Sequence, residues 1–254
     1  MGNYKAVRIR NMALGDGTCR ICIPLMAEEE DRIRDEMKKI LDCAPDLIEW
    51  RADAYRGILN RESLLRALAC IREMAGEIPV LFTFRTKEEG GLAGCTMKQY
   101  ADMITAAADS GWIDLADLEY HRGMDVLAPL IGRLRELNVK SVISCHDFER
   151  TVSQEELTDL YLQMQKMGGD VTKLAVMPGC REDVMTLLET AVQMEESLAD
   201  RPFCAISMGR LGTISRIAAQ FTGSAFTFAA AGRASAPGQA GADDMRTALR
   251  MLQG

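Results

Sequence analysis

Eight short apolar runs recur along this chain with centres roughly 22 to 34 residues apart, and that repeat restricts the folds open to it. The runs are 20–25, 46–51, 79–85, 113–119, 139–145, 171–177, 202–208 and 224–229. Helical patterns separate them. Ile33, Met37, Ile40 and Leu41 share one helix face, as do Leu64, Leu65, Leu68 and Ile71. The same spacing groups Leu127, Leu130, Ile131, Leu134 and Leu137, then Leu157, Leu160, Tyr161 and Met164, then Val184, Leu187, Leu188, Ala191 and Met194. Ile214, Ile217, Ala218 and Phe221 predict the buried face of a shorter helix. Ser153-Gln-Glu-Glu156 reads as a capping box.

Eight βα units predict an α/β fold, a closed parallel (β/α)8 TIM barrel. A doubly wound open sheet usually has fewer strands, and its nucleotide-binding forms carry a glycine-rich fingerprint. Neither G-x-G-x-x-G nor G-x-x-x-x-G-K-[ST] occurs here. Residues before about 18 fall outside the repeat. Residues 5–10 followed by Gly15-Asp16-Gly17 look like a short β-hairpin able to close the barrel bottom. No linker or low-complexity stretch divides the chain, so residues 1–254 read as one barrel domain.

Composition narrows the function classes. The net charge of −7 argues against nucleic-acid binding, yet a local arginine cluster still permits a small anionic substrate. No apolar run approaches the roughly 20 residues of a membrane-spanning helix. The start Met1-Gly-Asn-Tyr-Lys-Ala6 has no hydrophobic signal core and no myristoylation serine or threonine, so a cytoplasmic protein is expected. Cys19-Arg-Ile-Cys22 is a C-x-x-C pair, but no second pair or histidine cluster follows at zinc spacing. On a strand, residues three apart face opposite sides, so buried free thiols are the expectation.

Polar residues gather where the runs end: Glu49 and Arg51, Arg85, Glu119, His146 with Asp147, and Lys173. In a barrel those strand ends build the active site. Glu49 and Arg51 project to one side of their strand, and Val171, Lys173 and Ala175 share a side taken as the barrel interior. A lysine in an apolar run suffers desolvation that favours a neutral, nucleophilic amine. His146, one of only two histidines, would supply the proton transfers an imine needs. The plainer alternatives are a structural Glu49–Arg51 ion pair, a snorkelling Lys173 and a hydrogen-bonded core His146. His121 reads as a solvated loop residue. The acidic residues of Thr86-Lys-Glu-Glu-Gly-Gly91 either orient an imidazole or form a solvated loop. Gly232-Arg-Ala-Ser-Ala-Pro-Gly-Gln239 suits a mobile lid or a plain surface connection, and residues 230–243 are assigned to that loop. Arg216 stands near a helix start, where a guanidinium makes a carboxylate anchor.

Taken together, Glu49-Trp-Arg51-Ala-Asp53, Phe82-Thr-Phe-Arg85, Glu89-Gly-Gly91, His146-Asp-Phe148, Lys173, Ser207-Met-Gly209, Ile214-Ser-Arg216 and Ser235-Ala-Pro-Gly-Gln239 resemble type I 3-dehydroquinate dehydratases from about Ile21 to the last helix. The resemblance implies a homodimeric barrel without metal or organic cofactor that acts on 3-dehydroquinate in the shikimate pathway. It implies Lys173 as the Schiff-base lysine, His146 as general acid/base and Glu89 as the carboxylate that positions it. It also implies Arg216 as the carboxylate anchor, Ser235 and Gln239 closing over it, and Glu49, Arg51 and Arg85 holding ring hydroxyls. The chain departs from the usual pattern at Pro24 (commonly Ser), Cys145 (commonly Asn) and Arg233 (commonly Lys). Another lysine-imine barrel enzyme such as a class I aldolase, and a non-catalytic ligand-binding barrel, are the rival readings.

Overall fold

A computed structural model describes residues 4–232 and 238–252. Two short strands, β1 (Val7–Ile9) and β2 (Met12–Leu14), form an antiparallel hairpin. Eight strands follow: β3 (Arg20–Leu25), β4 (Leu47–Arg51), β5 (Val80–Thr83), β6 (Leu115–Glu119), β7 (Lys140–Asp147), β8 (Val171–Val176), β9 (Phe203–Ser207) and β10 (Phe226–Phe228). They lie side by side as one parallel sheet in the order β10-β3-β4-β5-β6-β7-β8-β9. At the seam the Ala225 amide donates to Phe203 O at 2.7 Å and the Ala205 amide to Ser224 Oγ at 3.0 Å. These bonds bring β9 and β10 together, so the strands form the nearly closed barrel that the repeat predicts.

Helices α1 (Glu30–Asp42), α2 (Arg61–Ala75), α3 (Met97–Asp109), α4 (Met124–Glu136), α5 (Gln154–Lys166), α6 (Arg181–Gln193), α7 (Thr213–Ile217) and α8 (Ala242–Leu252) alternate with the strands. Their apolar stripes pack on the outward strand positions in one large cluster that includes Ile33, Leu68, Ile104, Leu134, Tyr161 and Leu187. Ser153 caps α5 as expected, accepting from the Glu156 amide while Glu156 reaches back to the Ser153 amide.

The face assigned to α7 is corrected. Ile214 and Phe221 are exposed, whereas Ser215, Arg216 and Ala219 turn inward. The Ser215 hydroxyl accepts from the Ser207 amide at 2.9 Å and donates to Gly212 O at 2.8 Å. Those bonds fix this face against β9, and polar anchoring overrides the apolar spacing.

Inward positions read from apolar to polar along β4 to β8. Cys22, Leu47, Leu81, Leu115, Val142, Val171, Cys204 and Phe226 make a second, interior cluster. Ile9 and Leu14 of the hairpin pack into that cluster, and Arg10 ion-pairs with Asp114, just ahead of β6, at 2.6 Å. The hairpin therefore closes the barrel bottom. Its turn lies at Arg10 and Asn11, with Arg10 at φ 49°, and not at the glycines 15 and 17 that the sequence suggests. Cys19 falls in the outer cluster and Cys22 in the inner one, on opposite sides of the sheet as expected.

Candidate active site

Two residues further along β4 to β8 the inward positions turn polar, while β9 and β10 stay apolar at Ile206 and Phe228. Glu49, Thr83, Asp117, Ser144 and Lys173 follow Leu47, Leu81, Leu115, Val142 and Val171. One step higher come Arg51, Arg85, Glu119, His146 and Ala175. The β7–β8 register pairs Ser144 with Lys173 and His146 with Ala175, so His146 sits about 6.6 Å further along the neighbouring strand than Lys173. Above this floor lies a cavity of about 160 Å³. Its polar wall holds Glu49, Arg51, Arg85, Glu89, His146, Lys173, Arg216 and Gln239; its apolar wall holds Ala175, Ile206, Met208, Phe228 and Phe148. All the candidate site residues named from sequence converge here except Ser235, which lies outside the described residues, as does Arg233.

Lys173 is buried. Its Nζ stands 3.5 Å from Asp117 Oδ2, 3.6 Å from Glu49 Oε1 and 4.7 Å from the centroid of the Phe228 ring. This position rules out a snorkelling surface lysine. Desolvation was visible in the sequence; the two flanking carboxylates were not.

His146 Nδ1 meets Glu89 Oε2 at 2.9 Å. Burial, then the cations Arg85, Lys173 and Arg51, push the imidazole well below its ordinary value. Glu89 is nearly inaccessible, and its Oε1 has no hydrogen-bond partner among the described residues. Burial raises its carboxyl to about 8, opposed by Arg85 and reinforced by Glu119 and Asp117. The imidazole is thus neutral, the form able to take a proton. The loop between β5 and α3 delivers Glu89 inward and leaves Glu88 outside, paired with Arg122 at 3.7 Å. Of the two acidic residues, Glu89 contacts the imidazole and Glu88 faces solvent.

Arg85 is the hub of the polar layer. Its guanidinium contacts Asp117 at 2.8 Å, Glu119 at 3.0 Å, Ser144 Oγ at 3.1 Å and Glu89 at 3.3 Å. Burial alone would lower its pKa, but Asp117, Glu119, Glu89 and Glu49 carry it above the ordinary value. Arg51 makes a bidentate pair with Asp53, both contacts 2.8 Å, and Asp53 also accepts the Leu92 amide at 3.0 Å. The Arg51 partner is therefore Asp53, and the expected alternative of a structural Glu49–Arg51 pair does not form. Glu49 instead accepts from Thr83 Oγ1 at 3.0 Å. Arg216 is buried, which lowers its guanidinium to about 10 and leaves it cationic at neutral pH.

The sequence reading passed over Asp117, Thr83, Ser144 and Phe228. Asp117 was within reach, because Leu115, Asp117 and Glu119 alternate as Val171, Lys173 and Ala175 do. Neither Cys145 nor Pro24, two departures from the usual pattern, lines this cavity. Cys145 belongs to the outer cluster, with Sγ 3.4 Å from the exposed His121, and Pro24 is buried in β3 opposite Glu49 in register.

A buried lysine amine and an imidazole held by a carboxyl group, both opening on one cavity at the C-terminal ends of barrel strands, define a class of barrel enzyme able to do amine and proton-transfer chemistry on a small molecule. The sequence matches the type I 3-dehydroquinase family over residues 21–254, and the chain belongs to that family. It is 40% identical over 248 residues to the 3-dehydroquinate dehydratase of Salmonella typhimurium, covering 98% of both chains. Among solved structures, the 3-dehydroquinate dehydratase of Geobacillus kaustophilus matches with a TM-score of 0.96 at 37% identity, over 100% of this chain and 98% of that one. The type I enzyme of Clostridium difficile, solved with covalently modified comenic acid, matches with a TM-score of 0.95 at 35% identity, over 98% of both. The chain is accordingly a hydro-lyase of the shikimate pathway. No helix among the described residues is long and apolar enough to cross a membrane.

Proposed function

We propose that the chain converts 3-dehydroquinate to 3-dehydroshikimate through a Schiff base on Lys173, with syn elimination of water. Lys173 attacks the ketone, and the carbonyl oxygen leaves as water. The protonated imine is an electron sink that acidifies the neighbouring carbon. His146, held by Glu89, removes that α-proton and leaves an enamine. The enamine expels the hydroxyl β to the original carbonyl, and His146 returns its proton to make the leaving group water. A second water hydrolyses the imine and frees Lys173. Arg216 anchors the substrate carboxylate, Ser235 and Gln239 close over it from the 230–243 loop, and Glu49, Arg51 and Arg85 hold ring hydroxyls. The protein works as a cytoplasmic homodimer of single-domain barrels and uses no metal or organic cofactor.

One observation carries this reading: the Lys173 amine and the His146–Glu89 pair face the same small cavity. Polar residues such as Arg51 and Arg216 line that cavity and suit a hydroxylated ring acid better than an apolar ligand. Borohydride added with 3-dehydroquinate should fix a mass adduct on Lys173 and abolish formation of the ultraviolet-absorbing enone. Lys173→Ala should give neither adduct nor product. An unmodified Lys173 after full turnover under borohydride would overturn the mechanism, and cleavage of the substrate into two smaller carbonyl compounds would point to the aldolase reading.

A further inference from the structure

The two carboxylates beside Lys173 are held differently. Glu49 is steadied by one hydroxyl, that of Thr83. Asp117 is fully enclosed, and its Oδ1 is pinned twice, by the Arg85 guanidinium at 2.8 Å and by the Ser144 hydroxyl at 2.6 Å. That leaves Oδ2 aimed at the lysine Nζ, 3.5 Å away. Ser144 is also the register partner of Lys173, so the pin and the amine share one layer of the barrel. Arg85, one layer higher, contacts both Asp117 and Glu89, and Glu89 holds His146. A continuous chain of contacts therefore runs from the lysine through Asp117, Arg85 and Glu89 to the imidazole.

We propose that Asp117 is a positioning residue for imine formation: its Oδ2 fixes the Lys173 nitrogen toward the cavity and stabilises the iminium, while Arg85 and Ser144 stop the carboxylate from turning. The inference rests on the reading that Lys173 forms an imine. Counted from the ammonium, the amine and the ketone give iminium and water; the C–N bond forms, the C–O bond breaks, and one positive charge stays on the same nitrogen. A carboxylate at a fixed distance serves the nitrogen before and after that exchange. It accepts and releases no proton, which suits a group whose pKa is lowered, burial being outweighed by Arg85, Lys173 and Ser144. A preorganised charge in a dry site needs no reorganisation as the reaction proceeds.

The test is rapid-quench borohydride trapping with 3-dehydroquinate, run beside steady-state kinetics on the parent, Asp117→Asn and Ser144→Ala. Asparagine keeps the shape and removes the charge; the serine change keeps the charge and loosens its tether. The expected result for Asp117→Asn is trapping and kcat slowed together by about 100-fold, with the final adduct yield unchanged. KM should stay within about twofold, and Ser144→Ala should slow trapping by about 10-fold. A merely structural role would lower the yield of adduct and not its rate. Parental trapping in Asp117→Asn, or a rise in KM alone, overturns the proposal. If Asp117→Asn does not fold, Ser144→Ala decides, and parental trapping in it is the refuting result. Absence of any adduct in the parent would remove the imine reading itself, a separate outcome.

Discussion

Glu89 shows how a single side chain trades stability for chemistry. It is enclosed, with one oxygen unpartnered among the described residues, and burial raises its carboxyl to about 8. An unfolded glutamate ionises near 4.3, so between about 4.3 and 8 the folded chain binds more protons at this site than the unfolded one. Its contribution to stability is complete below that range and is lost as pH rises through about 8. His146 runs the other way. Its folded value is depressed, so its contribution is present above about 6.5 and lost as pH falls. From pH 7 to 9 the buried thiols of Cys19, Cys22 and Cys204, held above their ordinary value, also shift stability, so the carboxyl is isolated by comparing a variant with the parent. Glu89→Gln keeps the volume and never ionises. Its melting temperature relative to the parent is expected to climb by several degrees across that window, while kcat falls about 100-fold for want of an oriented imidazole. Calorimetry at both ends of the window checks the first effect, and a pH-independent difference would contradict it.

At the level of elements, the loop 84–96 sets the position of Glu89, and two adjacent glycines shape it. A methyl group on Gly90, which sits at φ 79°, would come within 2.3 Å of the Phe148 ring. Phe148 is partly exposed and has room to swing, so Gly90→Ala is expected to cost about 1 kcal/mol of backbone strain and to slow turnover several-fold. A methyl on Gly91 would come within 1.8 Å of the Arg85 carbonyl oxygen, a backbone atom with no rotamer to change. Gly91→Ala should therefore open the loop, draw Glu89 from His146 and abolish most activity, with a larger loss of melting temperature than Gly90→Ala. Equal effects of the two substitutions would refute this account. The strands were legible in the sequence because strands buried on both faces, such as β3 and β9, read as near-continuous apolar runs. The helix α3 was not, because its inner face uses Ala106, Ala107 and Ala108 beside Tyr100 and Ile104, a stripe too small to stand out by spacing. Lys173 and His146 were legible as polar breaks in those runs. Asp117 was not singled out, because its importance lies in the Arg85, Ser144 and Lys173 contacts that only the closed barrel assembles.

For the whole molecule, the alternation of apolar and polar inward layers separates support from chemistry. The bottom layers hold Leu47, Leu81, Leu115, Val142 and Val171, and the hairpin seals them with Ile9 and Leu14. The charged layer begins only one inward step above, at Glu49, Asp117 and Lys173. Water entering from below would reach that layer if the seal failed, and would screen the contacts around Lys173. Leu14 is completely enclosed, so Leu14→Ala removes packed volume at a place where the barrel strands resist collapse. The expected cost is about 3 kcal/mol of unfolding free energy, read as a lower urea midpoint with unchanged slope. Two outcomes for catalysis are possible in principle. If the seal and the site are independent, kcat and KM stay at the parental values; if the seal excludes water from the lysine, kcat falls with stability. The interior cluster between them argues for independence: Cys22, Leu47, Leu81 and Val171 remain stacked beneath the polar layer when Leu14 is shortened. Parental kcat and KM at a temperature well below the lowered melting point are therefore expected. A tenfold loss of kcat in a fully folded Leu14→Ala protein would show instead that the hairpin acts on the reaction and is more than a structural plug.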